Sequence, residues 1–144
     1  MGATRAGKRE LLSQVRLFRR CSAADLDGIA AAATERRVVP GEVLCQAGDA
    51  GQELFVVVEG TARVTMSARE IATLGPGSFF GEMALVDGGP RIATVTALTS
   101  MELLVLPRRE FRRLLGARPS LVTEVITVVG ERMRSIQRRL RAAA

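Results

Sequence analysis

Between Val38 and Pro107 the chain breaks into apolar, β-branched runs of four to seven residues, interrupted at Pro40-Gly41, Gly48-Asp49, Glu59-Gly60, Gly75-Pro76-Gly77 and Gly88-Gly89-Pro90. Short strands with turn signals at that spacing predict an all-β sandwich or roll, and about eight strands fit. The stretch "LFVVVEGTARVTM" predicts a hairpin turning at Glu59-Gly60. A second short hairpin is read in "VTMSAREIATL", and its last strand ends at a turn whose two glycines, Gly75 and Gly77, permit positive φ.

Helical texture flanks this region. From Lys8 to Arg20, "KRELLSQVRLFRR" places Leu11, Leu12, Val15 and Phe18 on one stripe with charges opposite. Ser22 reads as an N-cap with Asp25 in capping-box position, opening a second helix through "ADLDGIAAAATERR". After Pro107 come "RREFRRLLGA" and, from Pro119, a long helix in which Val122, Ile126, Val129, Met133, Ile136 and Leu140 are spaced by four, three, four, three and four. That is a heptad seam, fitting equally a coiled coil with a second copy or the inward stripe of a helix packed on its own domain. The resulting map is one mainly-β domain over residues 1–144, with N-terminal helices over 8–36, strands over 37–107 and two C-terminal helices over 108–141.

A chain of 144 residues and 15.5 kDa has enough material for one core. No apolar stretch approaches the roughly 20 residues of a membrane span. The start "MGATRAGKRELL" lacks the apolar centre of a secretory signal, so the expected location is cytoplasmic. There is no histidine, which removes the commonest general base and the Ser-His and Cys-His nucleophile arrangements. Cys21 and Cys45 stand in unrelated contexts and make neither a usual zinc site nor a disulfide scaffold; both are read as reduced and mostly buried. The chain is therefore expected to be no enzyme, with no metal and no cofactor. Net charge is +5 over residues 1–20, −5 over 21–101 and +6 over 102–144. An acidic middle between basic ends is not the footprint of a nucleic-acid-binding fold, and no nucleic-acid partner is expected.

The string "FGEMALVDGGPRIATV" carries the chemistry. Gly81 lets the backbone turn tightly, and "EMALVD" is long enough for one and a half helical turns, whose unpaired N–H groups form an anion site. The Gly88-Gly89-Pro90 turn then reverses the chain so that Arg91 offers a planar fork to two phosphate oxygens. Glu82 accepts hydrogen bonds only, so it calls for a donor on the ligand close to the anion, as a ribose hydroxyl beside a phosphodiester supplies. The plain alternative is a Glu82–Arg91 ion pair across a surface turn.

This string resembles the phosphate-binding cassette of the cyclic-nucleotide-binding domain family, found in bacterial catabolite activator proteins, kinase regulatory subunits and nucleotide-gated channels. Phe80, Gly81, Glu82, Ala84, Leu85, Pro90, Arg91, Ala93, Thr94 and Val95 match its pattern, F-G-E-x-A-L-x-x-x-x-P-R-x-A-T-V. The likeness extends to "VPGEVLCQAGDAGQELFVVVEGTARV" and "QVRLFRRCSAADLDGIA". It implies an eight-stranded jelly-roll β-roll flanked by helices, with the cassette over 79–95. By that resemblance Arg91 binds the cyclic phosphate, Glu82 the ribose 2′-hydroxyl, and the backbone at Ala84 and Leu85 caps the phosphate. The ligand-contacting set is then Gly81, Glu82, Met83, Ala84, Leu85, Arg91, Ile92 and Ala93, with Thr94 a further candidate. A threonine after the arginine is associated with cyclic GMP in the family; Ile92 has no hydroxyl, so cyclic AMP is favoured and cyclic GMP comes second.

In the family the last helix supplies a lid over the base, and Val122, Ile126, Val129 and Met133 are this chain's candidates. Along the helix, Val122 to Val129 are expected near the ligand and Met133 to Leu140 toward a partner in a homo-oligomer. The expected role is a regulatory module whose ligand repositions the C-terminal helix. It is read as the C-terminal cytoplasmic domain of a bacterial cyclic-nucleotide-gated potassium channel, at the cytoplasmic face of the membrane beside the channel's pore domain, or as a stand-alone sensor. The alternative is the ligand-binding half of a catabolite-activator-type transcription factor.

Overall fold

A computed structural model describes residues 5–81 and 91–142 of the chain. Among these, eight strands build two four-stranded antiparallel sheets. The first has the order β1 (Thr34–Val38), β8 (Met101–Pro107), β3 (Glu53–Glu59), β6 (Phe79–Phe80); the second has β2 (Val43–Cys45), β7 (Thr94–Ala97), β4 (Ala62–Met66), β5 (Arg69–Leu74). Before them come α1 (Arg5–Ser13), a 3-10 turn (Arg16–Phe18) and α2 (Ala23–Ala32); after them, α3 (Arg108–Ala117) and α4 (Pro119–Ala142). The mainly-β roll with flanking helices is the fold that the strand spacing predicts.

The first sheet is covered on both sides, and this explains its sequence. Leu54, Val56, Leu104 and Leu106 face the helices and join Leu12, Phe18, Ile29, Phe111 and Val125 in one buried cluster. Their neighbours Phe55, Val57, Leu103 and Val105 face the second sheet, with Val38, Phe80 and Val95. A strand buried on both faces has no polar side, so "LFVVV" reads as a continuous apolar run instead of alternating.

Four sequence expectations change at their edges. The second helix stops at Ala32, where the reading carried it to Arg37: Thr34–Val38 is a strand, paired with β8 in the register Thr34↔Val105. An alanine-rich run favours helix locally, but Thr34 to Val38 can hydrogen-bond along β8 only when extended, and tertiary pairing overrides propensity. The first helix does not run from Lys8 to Arg20 but begins at Arg5, ends at Ser13 and resumes as the 3-10 turn, which lets the adjacent Leu17 and Phe18 both bury. The chain does turn at Gly60, with φ +91°, yet β3 and β4 are not a hairpin; each pairs within a different sheet. Of the two glycines after β5, Gly77 alone has positive φ. The Ser22–Asp25 capping box and the β4–β5 hairpin form as read.

Helix α4 crosses the helical cluster with Leu121, Val125 and Val128 buried. It is tied to the N-terminal segment by Arg16, which donates Nε to Glu124 (3.2 Å) and its two terminal nitrogens to Glu131 (2.5 and 3.0 Å). These hydrogen bonds hold the Glu131 carboxyl below its ordinary range. The pair is half-exposed and worth little by itself, so the apolar stripe sets the helix position.

Candidate functional site

Strand β6 delivers the chain to Gly81, whose φ is +97°. A Cβ there would collide with Nη1 of Arg91 and lie 2.7 Å from the carbonyl oxygen of Glu53. Glycine is thus required twice over, for the left-handed backbone and for the close approach of the guanidinium. Gly81→Ala is expected to lower stability by about 1–3 kcal/mol, read from urea denaturation; an unchanged midpoint would mean that these close contacts give way freely.

Arg91 is held at both its backbone and its side chain. Its N–H donates to the Asp49 carbonyl (2.7 Å) and its carbonyl accepts from the Gly48 N–H (2.8 Å), so the loop between β2 and β3 fixes its Cα. Its side chain runs inward and the residue is only 8% exposed. Nη2 donates to the Glu53 carbonyl at 2.9 Å, and Cζ lies 5.7 Å from the centroid of Phe55, which is itself stacked on Phe80 at 4.8 Å with 10° between the planes. Nη1 is buried and has no hydrogen-bond partner among the described residues. A buried charged donor without a partner carries its full desolvation cost, which an anion seated against Nη1 would offset.

Arg91 borders an open cavity of about 150 Å³. Gly81, Arg91, Ile92 and Ala93 line it from the cassette, and Val64, Ile71, Ala72 and Leu74 from the β4–β5 hairpin. Cys45 and Val95 close one wall, and Arg132, Ser135 and Ile136 reach in from α4. Among the described residues the wall is apolar apart from the two arginines and a serine, the usual make-up of a small-molecule site with a few orienting polar groups.

Of the residues read as ligand-contacting, Gly81, Arg91, Ile92 and Ala93 line this cavity. Glu82, Met83, Ala84 and Leu85, with the helical segment and the Gly88-Gly89-Pro90 turn, lie outside the described residues. Thr94 is not among the residues lining the cavity; its hydroxyl accepts from the Ala47 N–H at 3.0 Å and so secures the β2–β3 loop that holds the Arg91 backbone.

The lid expectations on α4 are corrected. Val122, Ile126 and Met133 are exposed, Val129 packs on the helical cluster, and none of the four lines the cavity. Ile136, expected toward a partner, does line it, so the C-terminal half of the helix faces the site and not the first half. The inward stripe is Leu121, Val125 and Val128, continued by Arg132. This arginine lies 4.3 Å above the Phe79 ring and donates to the Phe79 carbonyl at 2.6 Å. A stripe sought by apolar character alone cannot include an arginine; the spacing of four and three from Leu121 was the signal that would have found it.

Residues 35–118 match the family model described as cyclic nucleotide-binding domain. A cyclic nucleotide-gated potassium channel of Mesorhizobium japonicum is 41% identical over 78% of this chain and 31% of its own length. The cyclic AMP receptor protein of Thermus thermophilus is 35% identical over 69% of this chain and 49% of its own length. The chain thus spans about a third of the channel and about half of the receptor. Among solved structures, cyclic AMP-bound PfPKA-R superposes with a TM-score of 0.86 at 25% identity, covering 93% of this chain and 46% of that one.

Proposed function

Because the chain belongs to the cyclic nucleotide-binding domain family, we propose that its cavity takes cyclic AMP and that occupancy is reported through α4. The observation that carries this reading is Nη1 of Arg91, a buried cation with an unfilled hydrogen-bond direction at a largely apolar cavity. A cyclic phosphodiester supplies the anion. Gly81 leaves room for the approach, the backbone of Ala84 and Leu85 caps the phosphate, and Glu82 accepts from the ribose 2′-hydroxyl. The purine lies between the β4–β5 wall and Arg132, Ser135 and Ile136 of α4. Ile92, in the position after the arginine, has no hydroxyl to offer guanine, which favours cyclic AMP over cyclic GMP.

Only a ligand that binds two positions of α4 unequally can shift the helix between them. Arg132 is suited to that difference, since its contacts with Phe79 hold α4 against β6 and its guanidinium also reaches the cavity. The similarity to the rhizobial channel supports a role at the cytoplasmic face of a membrane, with a pore domain in the same parent chain as the effector.

Cyclic AMP at about 100 times its dissociation constant is expected to stabilise the domain by about 2.7 kcal/mol, a rise in melting temperature of about 5–10 °C. With no Trp or Tyr, the measurement calls for circular dichroism or an extrinsic dye. No shift with either purine cyclic monophosphate, on folded protein, would overturn the reading.

A further inference from the structure

Strand alternation places residues two apart on the same face, and Val43 in β2 points to solvent, 48% exposed. Cys45 does not follow it. The β2–β7 register shifts between the two residues, from Val43↔Thr96 to Cys45↔Val95, and Cys45 becomes a half-buried residue on the cavity wall. Irregularities of this kind re-aim a side chain. The thiol therefore shares a chamber with the unpartnered Nη1 of Arg91, itself more than nine-tenths buried, and with the guanidinium of Arg132. Among the described residues no carboxylate lines that chamber.

We propose that Cys45 is a modification site, where a low-molecular-weight disulfide bearing carboxylates exchanges with the thiol and closes the cavity to cyclic nucleotide. The inference rests on the proposed function for its regulatory consequence, but not for the reaction. Its chemistry is balanced: the Cys45 thiolate attacks one sulfur of the disulfide, a new Sγ–S bond forms as the old S–S bond breaks, and the leaving thiolate takes up the proton that Cys45 released. A partly exposed thiol near guanidiniums is the kind that reacts in this way, and two arginines line this chamber against the single carboxylate, Glu82, that the proposed function brings to it. A carboxylate of the reagent meets the same unsatisfied Nη1 that a phosphate would. The other cysteine is placed less well. Burial and the nearby Asp25 carboxylate raise the Cys21 thiol above its ordinary range, against an opposing pull from Arg118.

The test uses the whole chain and glutathione disulfide as the probe. The affinity of the reduced chain for cyclic AMP is measured first, which decides the proposed function separately. Intact mass followed by peptide mapping is then expected to show one glutathione adduct, at Cys45. The adduct persists in Cys21→Ser, is absent from Cys45→Ser, and forms about tenfold more slowly when cyclic AMP fills the cavity. The adduct should lower affinity for cyclic AMP about tenfold or more, because the occupied cavity no longer offers the same concave surface, and dithiothreitol should restore it. Modification at Cys21 in preference to Cys45, or an adduct at Cys45 that leaves affinity unchanged, overturns the inference. Should Cys45→Ser fail to fold, peptide mapping and reversal by dithiothreitol on the natural sequence decide the matter.

Discussion

Arg91→Ala weakens cyclic AMP binding by about 2–5 kcal/mol, roughly thirty-fold to several-thousand-fold in dissociation constant, while changing the stability of the ligand-free domain by less than about 1 kcal/mol. The two effects separate because of what the side chain does in each situation. Among the described residues it makes one hydrogen bond, to the Glu53 carbonyl, and a second buried nitrogen has no partner. Truncation loses the first and removes the cost of the second, so the two largely offset. Against a phosphodiester both terminal nitrogens of the fork are engaged, and Arg132, held by Phe79, does not take their place. Arg91→Lys is not a rescue, since an ammonium is a point charge without the fork. Calorimetry and urea denaturation on the same samples give the two readouts; unchanged affinity, or a collapse of stability with affinity retained in the folded fraction, would remove Arg91 from the site.

The second large effect is on the scaffold. Phe55 is 1% exposed, stacks on Phe80 and lies beneath the Arg91 guanidinium. Phe55→Ala is expected to cost about 3–5 kcal/mol, a large share of the 5–15 kcal/mol that typically holds a domain together. Phe55→Leu keeps much of the apolar burial and costs less, but it forfeits the stacked pair, worth about 0.5–1.5 kcal/mol. Because the leucine also removes the π face under Arg91, affinity is expected to fall in Phe55→Leu even where the domain remains folded. Denaturation followed by circular dichroism, with binding measured on the same variant, checks both parts. A loss below about 1 kcal/mol for Phe55→Ala would mean that the ring is not a keystone of the sheet interface.

The β-roll was legible because turn chemistry is local: glycine and proline at fixed places end strands whatever the strands later touch. The capping box at Ser22 was legible for the same reason, since its partners lie three residues apart. The extent of α2 was not, because Thr34 to Val38 are strand only by virtue of β8, a partner some 70 residues away in sequence. The β3–β4 turn was read correctly as a turn and wrongly as a hairpin, since a bend in the chain does not say which sheet each arm will join.

The site divides along the same line. Arg91, Gly81 and the cassette stand together in sequence and could be read there. Cys45, Arg132, Ser135 and Ile136 reach the cavity from a strand and a helix far apart in the chain, and no local pattern says that they meet there. Sequence alone determined which chemistry the cassette offers, because spacing, residue type and backbone freedom are properties of a short segment. Tertiary structure alone decided which wall of α4 closes over it and which thiol stands inside, because those depend on helix rotation and strand register, and both are set by burial against distant residues.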